Sequence, residues 1–148
     1  MRIDSKMVVV EFTRKCSKKR HDAIMDAVMF ACKQLMPRVR KPFYINIRPI
    51  PKLTETQGVN GDCMDEEDRE FTIRIDVSLP LNEMISTILH EMVHVQQFLS
   101  GKLKQPKPGK AVYKRVDYDW EMDYNDRPWE IEAHTKEKQL AEAFNDRL

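Results

Sequence analysis

In the stretch STILHEMVHVQQFL, residues 86–99, two histidines stand four positions apart and a glutamate follows the first. On a helix His90 and His94 project from one face, a turn apart. That separation lets both imidazoles reach a single tetrahedral cation. Glu91 is turned about 100° from His90 by the helix period. Its carboxylate therefore borders the cation without binding it. From there it can accept a proton from an attacking water and pass it to a leaving amine. Zinc is the expected cofactor, because it lowers the pKa of such a water to about 7.

A hydrolytic zinc needs a third protein ligand and an open position. The segment RPWEIEAHTKE, 127–137, holds the remaining candidates: Glu130, Glu132, His134 and Glu137. Read as a helix, it places Glu130, His134 and Glu137 on one face and turns Glu132 elsewhere. The third ligand is then Glu130 or His134. Peptide hydrolysis also needs a donor for the oxyanion of the tetrahedral intermediate. Tyr113, Tyr118 and Tyr124 lie between the two motifs, and Tyr124, nearest in sequence to Glu130, is the candidate.

These side chains require particular elements to position them. MVVVEF (7–12), FYINIRPI (43–50) and EFTIRIDVSL (70–79) read as strands, the last with Phe71, Ile73, Ile75 and Val77 on one face. Residues 17–36 read as a helix with Ser17 as N-cap and a wide apolar face. Its methionines are core filler rather than ligands. A second helix opens at Pro80–Asn82, carries the histidines, buries Ile85, Ile88, Leu89, Met92, Val95 and Leu99, and stops at Gly101. Residues 54–64 read as an irregular or edge strand, and 65–68 as a loop. Residues 101–127 show little periodicity and form a long connection, a kind of segment that tends to carry function. A final helix runs from Pro128, with Trp129, Ala133, Leu140 and Phe144 as contacts.

HEMVH followed on a later helix by WEIEAH resembles the gluzincin pattern, an HExxH helix and then a glutamate on a second helix. In several gluzincin groups the second motif reads E-x-E-A followed by Asp or Asn, and its first glutamate binds the metal. The resemblance therefore implies a zinc site of His90, His94 and Glu130. It puts His134 where Asp or Asn usually supports a ligand histidine. His134 is a departure: it either does that supporting work or is itself the ligand, as the third histidine is in SprT-like proteins. The chain's size and element order also resemble minigluzincins and small ImmA-like metallopeptidase domains, some of them phage-encoded. The implied architecture is one zincin-like α+β domain over residues 1–148. A small, mostly antiparallel sheet would pack against the N-terminal helix and the HExxH helix, and the last helix would close the site. In related peptidases an edge strand pairs with the extended substrate, which by position would be 54–64.

Composition sets the remaining bounds. The chain has 148 residues, 41% hydrophobic and 33% charged, with a net charge of +1. That is the profile of a globular domain with room for a core. No apolar run reaches membrane-spanning length. MRIDSKMVVVEF is a poor signal peptide. A cytoplasmic protein is expected, in the host cytoplasm if phage-encoded. Three widely spaced cysteines suggest neither a disulfide framework nor a thiolate zinc ribbon. Charge is blocky, with basic residues toward the N-terminus and acidic runs at 62–70 and 117–126. The near-neutral total argues against nucleic acid as a partner. The expected activity is zinc-dependent endopeptidase action on a peptide or protein. The alternative is a catalytically inactive zinc fold that binds DNA or a host regulator.

Overall fold

Alternation with period two puts Phe43, Ile45 and Ile47 of one strand, and Phe71, Ile73 and Ile75 of another, on a single face. All six are buried. The structure, a computed structural model, describes residues 2–4, by backbone alone, and residues 7–147. Its larger sheet contains β1 (Arg2–Asp4), β2 (Val8–Phe12), β3 (Phe43–Ile50), β4 (Gly61–Asp65) and β5 (Glu70–Asp76), in the order β1-β2-β3-β5-β4. The fold is α+β, as expected.

The sheet is mixed rather than mostly antiparallel. β2–β3 and β3–β5 run parallel, and only the outer pairs β1–β2 and β4–β5 are antiparallel. The reason lies in the connections. α1 (Lys18–Leu35) carries the chain from β2 back to the starting end of β3, and a crossover of helix length yields a parallel neighbour. Ser17 caps α1 as expected, its Oγ accepting from Arg20 N at 3.2 Å.

α3 (Leu81–Leu99) packs against α1, β4 and β5 and against the last helix, α4 (Pro128–Asn145). Ile88, Leu89, Met92 and Val95 supply its apolar contacts with the core. The stretch 54–64 divides into a short helix, α2 (Leu53–Gln57), and the edge strand β4. Gly61 allows β4 to lie close to α3. A Cβ there would stand 2.7 Å from Arg74 O and 2.9 Å from Thr87 Cγ2.

Residues 101–127 are more ordered than their composition suggests. They form a second, antiparallel sheet of β6 (Leu103–Lys104), β7 (Lys110–Tyr113) and β8 (Val116–Asp119), followed by a 3-10 turn at Tyr124–Asp126. Strands of this length are too short to show a period. The β7–β8 turn uses Lys114 and Arg115 at φ 48° and 69°, without the Asn-Gly pair that usually marks such a turn. The sheet is seated on Trp129 of α4, which is fully buried against Leu103, Ala111 and Tyr113 and stacks on Trp120 at 5.1 Å. No helix among the described residues is long and apolar enough to cross a membrane.

Asp76, at the end of β5, pins the α2–β4 segment. Its buried carboxylate accepts from Thr54 N at 2.9 Å and Ser78 N at 2.8 Å. Burial pushes its pKa up, but the hydrogen bonds from Thr54 and neighbouring backbone amides outweigh this and hold it below the ordinary aspartate value. A depressed folded-state pKa adds stability above the unfolded value, and that stability is lost as pH falls through the folded one. Asp76→Ala is expected to cost about 2–3 kcal/mol near neutral pH. In urea unfolding across a pH series, the gap to the wild type should narrow below about pH 4. A gap independent of pH would contradict this role for the carboxylate.

Candidate metal centre

The helix period places His90, Glu91 and His94 on the part of α3 that faces α4 and the cleft. All three are buried, at 6%, 5% and 6% exposure. Trp129 anchors the first turn of α4 in the second apolar cluster, and this brings the adjacent Glu130 against α3. Glu130 Oε1 lies 2.9 Å from His90 Nε2 and 3.1 Å from His94 Nε2. These three ligand atoms lie within 4.8 Å of one another, so the group can hold a metal ion. Two imidazole nitrogens and a carboxylate oxygen match the donor set of a zinc-type site.

The far sides of both rings are held by protein acceptors, which leaves the Nε2 atoms as the ones that converge on Glu130. Gln97 Nε2 donates to Trp129 O at 3.0 Å and to Glu132 Oε1 at 2.8 Å, both pure acceptors. Gln97 Oε1 therefore faces His94 Nδ1, at 2.7 Å, and Nδ1 must carry a proton. On the other ring, His90 Nδ1 donates to Glu137 Oε1 at 2.9 Å. Each ring also donates a second proton from Nε2 to Glu130 Oε1, and giving up that proton leaves a lone pair on Nε2 that an ion could take. Such partners fix both tautomer and ring orientation.

Glu132 points away from the centre, as the helix period requires, but it anchors Gln97. It also accepts from Lys102 Nζ and Tyr113 OH, each at 2.9 Å. The second sheet is therefore wired to His94 through Glu132 and Gln97.

The electrostatics are those of a tightly coupled buried group. Burial opposes charge on His90, but hydrogen bonds from it to Glu130 and Glu137 outweigh this and raise its pKa to about 10. His94 is raised for the same reason, through Glu130. Burial would raise Glu130, yet the two imidazoles hold it far below the ordinary carboxylate range. Burial pushes Glu91 up to about 7, against the pull of His94 and His90. A divalent cation can take the place of the two protons shared with Glu130, which couples metal binding to proton release.

Tyr124 and His134 sit at the mouth. Tyr124 OH donates to Glu130 Oε1 at 2.9 Å and lies 3.0 Å from His134 Nε2. His134 does not join His94 and Glu130. It is half exposed, packs its ring 4.5 Å from that of His90, and keeps Nδ1 3.5 Å from Glu137 Oε1. His90, His134 and Glu137 form a second, more open group of potential ligands. Gln97 and Glu137, rather than His134, accept from the two histidines of the centre. Gln97, three residues beyond His94, carried a spacing signal that a search for the partner of a ligand histidine could have used.

A cleft opens on either side of Glu91. One lobe, of about 480 Å³, is walled by Gly58–Gly61, Thr87, Tyr124, His134 and Glu137. The other, of about 250 Å³, runs under the second sheet between Cys63, Phe98, Leu103, Trp120 and Trp129. His90, Glu91, Tyr124, Val59 and Gly61 belong to both. No family model, no curated protein and no solved structure compared with this chain matches it.

Proposed function

We propose that the chain is a zinc-dependent endopeptidase. One observation carries this reading: His90 Nε2, His94 Nε2 and Glu130 Oε1 converge beside the buried carboxylate of Glu91, where two lobes of one cleft meet.

In this reading His90, His94 and Glu130 hold the ion. When bound, zinc would supply Lewis acidity and make water acidic enough to attack near neutral pH. Glu91 takes the proton of the attacking water and delivers it to the departing amine nitrogen. Glu137 and Gln97 keep the two imidazoles in the ligating tautomer throughout. Tyr124 turns its hydroxyl toward the carbonyl oxygen as that oxygen gains charge. β4 is the last strand of its sheet and borders the cleft through Gly61, Asp62 and Cys63. An extended substrate can pair with its free edge, with the two lobes receiving side chains on either side of the scissile bond. A cleft that continues past Glu91 in both directions suits cleavage within a chain.

Purified protein is expected to carry about one zinc per chain and to cut members of a peptide library. A chelator should abolish cutting, and added zinc should restore it. Zinc-loaded protein that cuts no library member would sink the reading.

A further inference from the structure

Tyr124 and His134 are ten residues apart in the chain, on different elements, yet the hydroxyl of one stands 3.0 Å from Nε2 of the other. The direction of this bond follows by elimination. Glu130 Oε1 is a carboxylate oxygen and can only accept, so the Tyr124 proton lies on the 2.9 Å line to Glu130. The hydroxyl oxygen must then accept from His134, whose Nε2 carries the proton. The rings meet edge to face at 5.7 Å. Tyr124 itself is 44% exposed, on a single 3-10 turn, and its ring also meets the Arg127 guanidinium 5.6 Å from its centroid. The long helix α4 supplies the rigidity that this turn lacks. Glu130 and His134 are one turn apart on it and grip the same hydroxyl.

We infer that His134 is a positioning residue: its Nε2–H holds and polarises the Tyr124 hydroxyl, which is thereby set to donate to the oxygen of the substrate carbonyl. This rests on the endopeptidase reading. The two bonds at the hydroxyl differ in what happens on substrate binding. Its proton swings from Glu130 to the substrate oxygen. The bond from His134 enters the lone-pair side and survives the swing. An oxygen that accepts a hydrogen bond is a better donor, so His134 acts on the transition state more than on substrate binding.

The test uses the full zinc-loaded chain and a peptide it cleaves, with Tyr124→Phe, His134→Leu, His134→Gln and the double variant Tyr124→Phe/His134→Leu. Tyr124→Phe should lower kcat about 100-fold, and His134→Leu about tenfold, each with KM within about twofold and zinc content unchanged. His134→Gln, which keeps an N–H to give, should recover most of the loss. The double variant should be no slower than Tyr124→Phe alone, because His134 works through that hydroxyl. A phosphinic peptide, which carries the tetrahedral oxygen, should bind His134→Leu about tenfold more weakly. Nitrogen-15 NMR should find His134 in the Nε2–H form. The inference is overturned by an Nδ1–H ring, by unchanged kcat and phosphinic affinity in His134→Leu, or by losses that multiply in the double variant. A wild type that neither cleaves peptides nor binds the phosphinic peptide defeats the endopeptidase reading instead.

Discussion

Glu91→Gln is expected to keep about one zinc per chain and to lower peptide turnover by about 10²–10⁴-fold. The side chain is only 5% exposed and shares the cleft wall with His90. The convergent ligand atoms belong to His90, His94 and Glu130 and do not include it. A glutamine of the same shape therefore leaves the ligand set standing and removes only the group that can take a proton. Burial disfavours the charged carboxylate at this position, so a neutral amide there should not lower thermal stability. The measurement pairs metal analysis with turnover of a peptide substrate. Cleavage at the wild-type rate would remove Glu91 from the mechanism, and loss of zinc would show that it helps to hold the ion.

The part of the centre that lies within one helix was legible in the residues. Spacing of four put His90 and His94 on a common face, and the apolar stripe around them marked α3 as buried. The same arithmetic separated Glu130, His134 and Glu137 from Glu132 on α4, and the structure keeps that division. What depended on distant partners was not legible. Glu132 was rightly turned away from His90 and His94, yet its work as the anchor of Gln97 needs Lys102, in the bend before β6, and Tyr113, at the end of the four-residue β7, where no period is readable. His134 matched a position that supports a ligand histidine elsewhere. Here Glu137, one turn further on, occupies that role, and His134 is left to meet Tyr124. The parallel centre of the sheet escaped for a related reason. Strand alternation tells which face is buried but not which way the neighbour runs. Only the crossover through α1 decides that.

The choice between Glu130 and His134 as third ligand should be settled by zinc content. Glu130→Ala is expected to weaken zinc binding by more than about 100-fold, beyond the range typical for loss of a supporting residue. His134→Ala should retain the ion. Glu130 is buried at the meeting point of both Nε2 atoms, and its removal leaves His90, His94 and Tyr124 with no common acceptor. His134 has half of its side chain in solvent and its Nε2 engaged by Tyr124. To ligate, it would have to abandon that bond and displace a carboxylate already in place. Zinc per chain after dialysis against a chelator of known affinity reads the difference directly. A thermal melt reads it independently, since an ion that binds only the folded state adds about 2.7 kcal/mol of stability at a hundred times its Kd. The wild type and His134→Ala should both gain this from added zinc, and Glu130→Ala should not. Glu130→Asp, one methylene shorter, should fall between them, because it keeps the charge and loses the reach. If the His134 change alone empties the site, the centre is a three-histidine one, and Glu130 is the residue that merely stands beside it.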